Sequence, residues 1–305
     1  MRRMLASLFY KAAGVLFLIL AKCQYLLKGY ARPRPFPVSD YQRCVEHDFQ
    51  VVDQWLSFLG RYKGEAGSIA NREILELGPG ADLGAGLYLL AKGAARYRTI
   101  DVNNLAAGCP PQFYDKFFEC LAGREPAAQV GPLRCELELL RRGTPDRLHY
   151  VCRKDFDIAA AFAKASIDVV FSNAAFEHFE HVDQVIRQLE IVAKPGAVLV
   201  ALIDLQTHSR WIRDKDPNNI YRYGERFYRA LAFRGSPNRV RPQVYAALLR
   251  QHGWGNIALI PVDCFPDRDD RNVRSGLNRR FQGDENCMSW LSFMLCATKP
   301  PSPIG

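Results

Sequence analysis

The chain has 305 residues, is 48% apolar and 24% charged, and carries 41 Lys+Arg against 32 Asp+Glu, a formal charge of +9. This profile excludes a disordered tail, a collagen-like fibre and a polytopic membrane protein, and the length allows one large domain or two modest ones with real cores. The charge is uneven: Arg2, Arg3, Lys11, Lys22, Lys28, Arg32 and Arg34 against Asp40 alone give residues 1–40 a net +6 of the +9. The basic balance therefore concerns the first 40 residues and not a nucleic-acid-binding body.

Residues 5–27 form the one long apolar stretch, but Lys11 and Lys22 cut it to an uninterrupted run from Ala12 to Ala21. That is shorter than the roughly 18 apolar residues of a simple membrane span. A signal peptide is disfavoured, because Lys22 directly before Cys23 spoils a lipoprotein-like box. Three readings stay open: a spanning anchor with snorkelling lysines, a helix lying in the membrane interface, and a core helix packed on the body. Lys11 and Lys22 are about three helical turns apart and share a stripe with Val15 and Leu18. Membrane-surface association through residues 5–27 is the expectation, with the body cytoplasmic and held at the cytosolic face by Lys28, Arg32 and Arg34. Nine scattered cysteines without a C-x-x-C pair read as free thiols of a reducing compartment.

Residues 1–38 are thus an apolar and basic helix followed by a proline-rich linker (Ala31 to Pro37), and residues 39–305 a single domain. Ser39 and Gln42 form a capping-box pattern that opens a helix running to about Phe58. Strands are predicted at 73–77, 97–101, 148–152, 167–172, 197–204, 256–262 and 289–297. Helices are predicted near 84–93, 155–164, 181–193, 218–232 and 241–252. Short β-rich runs alternating with helix-period segments predict an α/β, doubly wound, mostly parallel sheet with both faces covered. Two connections are long: 102–147, an insertion with short helices at 111–122 and 132–142, and the charged stretch 263–288. Each reads as a surface elaboration or a substrate lid.

The most informative segment is E-I-L-E-L-G-P-G-A-D-L-G, Glu73 to Gly84. A strand runs into glycines and then a helix, a turn at the carboxyl end of a strand where open α/β sheets bind ligands. Gly78 and Gly80 let backbone approach a ligand closely. Asp101 closes the next strand and is placed to accept hydrogen bonds from a ribose diol. A dinucleotide fingerprint would need glycine at position 83, which is leucine. Glu76 and Asp82 add negative charge where a pyrophosphate would sit, so the turn suits a cationic nucleoside cofactor.

This segment resembles motif I of class I S-adenosylmethionine (SAM)-dependent methyltransferases of the type 11 kind, and the similarity runs over roughly residues 70–262. Asp101 matches their ribose acid. Asp155 matches the acid set against the adenine, with Asp157 a competing assignment and Phe156 beside it. Ser166 to His178, including Asn173, is similar to their fourth strand and following "LEH"-like turn, with Phe176 for leucine. Lys194-Pro195-Gly196 is similar to the turn before strand five. Asp82 departs from the third glycine of many members. The resemblance implies a Rossmann-like seven-stranded sheet of order 3-2-1-4-5-7-6 with strand seven antiparallel. It also implies SAM as cofactor, bound by Glu76, Gly78, Gly80, Asp101, Asp155, Phe156 and Asn173.

On the acceptor side, Ile203-Asp204-Leu205 with His208, followed by Asn238-Arg239-Val240-Arg241, resembles "IDL-x-x-H … NR-x-R" methyltransferases associated with surface-glycan biosynthesis. That layout implies His208 as general base, since a histidine of pKa about 6.5 can take a hydroxyl proton. Asn238, Arg239 and Arg241 would hold an anionic part of the acceptor. The acceptor expected is a hydroxyl of a glycan or lipid-linked sugar, then a small metabolite or quinol. A nucleic acid is not expected, since the basic residues lack aromatic interleaving and Ser172 to Phe176 lacks paired prolines. No metal is expected: His178 and His181 lack a third ligand nearby and read as a turn and helix start. The competing functions are a catalytically silent SAM-binding protein and an NAD(P)-dependent oxidoreductase.

Overall fold

A computed structural model of the chain describes residues 2–29, 40–126, 128–265, 274 and 276–301. The proline-rich 31–37 segment, Ser39, and the Arg and Asp residues at 267–271 lie outside the described residues. Seven strands, β1 (Glu73–Leu77), β2 (Arg96–Asp101), β3 (Leu148–Cys152), β4 (Ile167–Asn173), β5 (Ala193–Asp204), β6 (Gly255–Cys264) and β7 (Trp290–Thr298), make one sheet. Its order is β3-β2-β1-β4-β5-β7-β6. The first five strands pair in parallel, and β7 is antiparallel to both β5 and β6. This is the architecture the cofactor motif implied. Lys194-Pro195-Gly196 is not a turn before β5 but an irregularity within it. The β4 register jumps there from Ile167 opposite Ala193 to Val169 opposite Val198, and Gly196 takes φ +83°.

The helices are α1 (Arg2–Lys28), α2 (Tyr41–Lys63), α3 (Gly84–Ala91), α4 (Pro111–Arg124), α5 (Val130–Arg141), α6 (Ile158–Ala161), α7 (Val182–Val192), α8 (Arg210–Arg213), α9 (Glu225–Leu231) and α10 (Pro242–Gln251). The helix expected over 218–232 is split into a 3-10 turn, Asn219–Arg222, and α9. One face of the sheet is covered by α2 to α5 and the other by α6, α7 and α10. The cap of α2 is Asp40, whose carboxylate accepts from the Arg43 N–H at 3.2 Å. Trp55 of α2 is fully buried, stacks on Phe171 of β4 at 4.8 Å and 9°, and donates its indole N–H to the Ser172 carbonyl at 3.2 Å.

The 102–147 insertion is packed into the body, and Asn103, Leu105, Cys109, Pro110 and Phe113 from its first part line the cavity described below. Its α4 and α5 bury Phe113, Tyr114, Phe117, Phe118, Leu121, Leu133 and Leu137 in the same core as α2 and α3. The described part of 263–288 is likewise packed. Leu277, Phe281 and Met288 join Ile220, Tyr221, Tyr223 and Tyr228 in a small third core, a cap beside the sheet.

α1 is docked on that cap. Val15 and Leu18 pack into the third core, so the lysine-bearing stripe faces the body. Lys22 donates to the Ala230 carbonyl at 2.6 Å, and the Asn219 amide and Tyr223 hydroxyl donate to the Tyr10 and Lys11 carbonyls at 2.8 Å each. Gly14 permits this approach, because a Cβ there would come within 2.0 Å of Asn219 Oδ1. The opposite face leaves Leu8, Phe9, Leu16, Ile19, Leu20, Leu26 and Leu27 exposed. Leu8–Lys28 is long and apolar enough, with a mean hydropathy of 1.3, to cross a membrane by length and composition.

Removal of the Trp55 ring leaves a cavity between α2 and β4 and strands the Ser172 carbonyl. Trp55→Ala is expected to cost about 3–5 kcal/mol in denaturant unfolding. An unchanged midpoint would contradict the packing described.

Candidate active site

The cofactor turn follows from backbone geometry. β1 ends at Leu77, and Gly78 and Gly80 both take the left-handed conformation, at φ +73° and +79°. A Cβ on Gly78 would also sit 2.9 Å from the Ala175 Cβ. The Gly78 N–H donates to the Ile100 carbonyl at 3.0 Å, tying the turn to the end of β2. Around it lies a cavity of about 1000 Å³. Its lining includes Glu76, Gly78, Gly80, Asp82, Asp101, Asp155, Phe156 and Asn173 at one end. All seven residues implied as cofactor-binding thus border a single space, large enough for a cofactor and an acceptor together.

This end is acidic by construction. Glu76 is buried, and the Tyr97 hydroxyl donates to its Oε2 at 2.5 Å. Burial pushes the Glu76 carboxyl up to about 8, with Asp82 and Asp101 adding to the effect against the relief from Tyr97. Asp48, from α2, brings a fourth acid that the sequence reading missed. Burial first, and then Asp82, hold its carboxyl well above the usual range. Asp48 Oδ2 would lie 2.1 Å from a Cβ at position 84, which is why Gly84 opens α3. The signal was present in the sequence: Asp48 is an acid one turn from both Val45 and Val52 on the buried side of α2. Asp101 is raised by burial and eased by backbone N–H groups, including that of Asn103 at 2.8 Å.

Asp155 and Asp157 part company. Asp157 caps α6 by accepting from the Ala160 N–H at 3.0 Å. Asp155 lines the cavity and is clamped by Arg153 at 2.8 and 3.0 Å. Phe156, at φ +50°, sets its ring 4.9 Å from Phe179 beside it. Asn173 Oδ1 is buried without a hydrogen-bond partner.

The other end of the cavity is lined by Tyr25, Glu177, His178, His181, Asp204, His208, Arg213 and Arg234. His208 is present, as expected, but its environment differs from that of a base near neutral pKa. Burial, helped by His178 and Arg213, pulls its ring down to about 3. The ring stays neutral at physiological pH, with Nε2 sealed from solvent and unpartnered. His178 packs against it edge-on, ring centroids 4.7 Å apart, whereas His181 stands at the start of α7. Glu177 is 3% exposed, and burial pushes its carboxyl well above the usual range.

Asn238, Arg239 and Arg241 do not line the cavity, which corrects their expected acceptor role. Arg239, 4% exposed and at φ +61°, donates to the Ile220 and Tyr223 carbonyls and pairs with Glu225. Arg241 donates to the Asn286 and Cys287 carbonyls and the Tyr221 hydroxyl. Their forks are spent on carbonyls of the cap, which a sequence pattern cannot distinguish from an anion clamp. Asn238 donates to the Phe176 and Phe179 carbonyls at 2.8 and 3.0 Å, fixing the turn that carries Glu177 and His178.

Residues 134–201, from within α5 to within β5, match a family model described as Methyltransferase domain. No curated protein matches the chain. Among solved structures, it is similar to a Haemonchus contortus phosphoethanolamine N-methyltransferase 2 bound to SAM, at 14% identity and TM-score 0.45. That alignment covers 82% of this chain and 53% of the other, so the chain spans about half that enzyme's length. It is also similar to the CurJ carbon methyltransferase, at 14% identity and TM-score 0.48 over 98% and 70% of the two chains. The [4+2]-cyclase SpnF is similar at 13% identity and TM-score 0.43, over 82% and 81%. These likenesses bear on neither reaction nor acceptor. With the sheet order and the glycine turn, the match makes residues 134–201 similar to a methyltransferase domain.

The acidic end gives a pH signature. Because the free protein favours protonated Glu76, that group's contribution to stability is full below its ordinary 4.5 and is lost as pH rises through about 8. The sulfonium and ammonium of SAM favour the ionised form, so binding should release a proton and tighten as pH rises toward 8. Calorimetry in buffers of different ionisation enthalpy reads this release, and Glu76→Gln should diminish it. A pH-independent affinity without proton release would contradict the assignment.

Proposed function

We propose that this chain methylates a hydroxyl of a lipid-linked or surface glycan presented at a membrane, with SAM as donor. The observation that carries this reading is the continuity of the cavity. It runs from the acid-lined turn to a cluster of histidines and acids, and one of its walls is Tyr25 of α1. Tyr25 stacks on Phe233 at 4.7 Å, so the helix that leaves its apolar face outward also shapes the acceptor chamber.

Methyl transfer is an in-line displacement: the acceptor oxygen attacks the methyl carbon, and the carbon–sulfur pair returns to sulfur. The protein must hold these atoms about 3–3.5 Å apart and let the hydroxyl lose its proton. His208 stands where that hydroxyl would be activated. Arg234 lines the same space and takes over, in this reading, the anion-binding part assigned to Arg239 and Arg241, while Arg213 is held by Asp204. Asp48, Glu76 and Asp82 oppose the pyrophosphate of a dinucleotide, which supports a methyl donor over NAD(P).

For the membrane, α1 lies on the surface in this reading and does not cross it. Its carbonyls at Tyr10 and Lys11 are engaged by cap side chains, and its exposed apolar face, with Trp211 of α8 and Phe227 of α9, is free to enter the interface. The full-length chain should sediment with phosphatidylglycerol vesicles at low salt and less with phosphatidylcholine vesicles. Equal solubility with and without vesicles would overturn the membrane reading.

With methyl-labelled SAM and isolated membranes, label should enter the lipid-extractable glycan fraction. His208→Ala should lower that turnover by about 100-fold or more while SAM affinity stays within about twofold. Near-normal turnover would remove His208 from the mechanism, and label confined to water-soluble products would overturn the acceptor class.

A further inference from the structure

The acceptor end holds four polar atoms that its own residues leave unsatisfied. By hydrogen-bond geometry neither Glu177 oxygen, nor His178 Nδ1, nor His208 Nε2 has a partner, and only the backbone N–H groups of Glu177 and Asp204 come near enough to ease the Glu177 carboxyl. One donor atom from each of these residues falls within 4.8 Å of the others. A buried carboxyl without a partner is costly in either protonation state, and such groups are normally hydrogen-bonded, paired or bound to a cation. Arg213 does not answer this need in the described geometry, because it is engaged by Asp204 at 2.7 Å. Asp204 Oδ2 itself stands 3.7 Å from His208 Nε2, beyond hydrogen-bond reach.

The positions are set by the fold. Glu177 and His178 sit on a 3-10 turn, Phe176–His178, just after β4. His208 follows the end of β5, the strand paired to β4. The turn is fixed by Asn238, whose N–H donates to the Glu177 carbonyl at 2.7 Å and whose amide holds the carbonyls on either side. The Gly235 carbonyl favours a proton on the His178 ring, the arrangement by which a backbone acceptor orients a ligating imidazole.

We propose that Glu177, His178 and His208 bind one divalent transition-metal ion of the zinc type, with its open position facing the cofactor cavity. Two imidazoles and one carboxylate are a donor set suited to zinc-like ions, and three protein ligands with a vacant fourth position is the pattern of a catalytic zinc. Ligand bonds of about 2.0–2.1 Å require donors roughly 3.3 Å apart, so each side chain closes by about an ångström on binding.

The catalytic use of this ion rests on the methyl-transfer reading; its binding does not. The acceptor oxygen would coordinate the open position and pass its proton to the Asp204 carboxylate. It would then form the carbon–oxygen bond as the carbon–sulfur bond breaks, the pair remaining on sulfur in S-adenosylhomocysteine. This gives His208 the part of a ligand in place of a base, in keeping with a ring too weakly basic to strip a hydroxyl alone.

The test uses the full-length chain, stripped with chelator and titrated with Zn²⁺ by calorimetry and with Co²⁺ by visible absorption. One saturable site is expected, with a nitrogen- and oxygen-ligated Co²⁺ spectrum. Glu177→Gln, His178→Ala and His208→Ala should each weaken it at least tenfold, and His149→Ala, on β3, should not. SAM affinity of each variant confirms that the pocket is folded. No saturable site, unchanged affinity in all three variants, or thiolate bands from the free cysteines would overturn the proposal. A bound ion whose removal leaves turnover intact overturns the coordination step. A metal-loaded wild type without methylation of membranes overturns the methyl-transfer reading and leaves the site standing.

Discussion

A carboxyl buried under a glycine turn is the constraint around which this molecule is arranged. Glu76 points inward from β1, held by the Tyr97 hydroxyl, while its chain continues into Gly78 and Gly80. Asp48, Asp82 and Asp101 gather around the same turn. Acids this close raise one another's proton affinity, so the free pocket holds protons that a cationic ligand displaces. Glycine at 84 is required because the Asp48 carboxylate occupies the space a side chain would fill. Local backbone, helix placement and ligand charge are therefore one problem with one solution.

The cofactor half was legible in the sequence for a physical reason. A strand, a tight turn and an acid at the next strand end are local patterns, and a parallel sheet lines up strand ends without long-range information. Strand positions followed from apolar periodicity and agree closely with β1, β3 and β4. Asp48 was missed because its partner acids are distant in sequence, although an acid on the apolar side of α2 was there to be questioned. The Lys194-Pro195-Gly196 segment deceived because proline and glycine mark both turns and strand irregularities.

The acceptor half was far less legible, since its residues come from different elements and their roles depend on what they meet. Arg239 and Arg241 have the chemistry of an anion clamp, yet carbonyls of the cap consume their donors. His178 was paired in the sequence with His181, three residues on. The fold pairs it instead with His208, because β4 and β5 are neighbours and their ends converge. The same distinction governs α1, where Val15, Leu18 and Lys22 mark the side turned toward the body while Leu8, Phe9, Leu16 and Leu20 are left outward. The +9 charge, concentrated in the first 40 residues, thus accompanies an apolar face and not a groove for nucleic acid.

The central claim is that the acidic turn selects a cationic nucleoside over a phosphorylated one. Calorimetry of the full-length chain with SAM and with NADP⁺, side by side at neutral pH, tests it most directly. The account predicts saturable binding of SAM and none of NADP⁺. Saturable binding of NADP⁺ with none of SAM would contradict it.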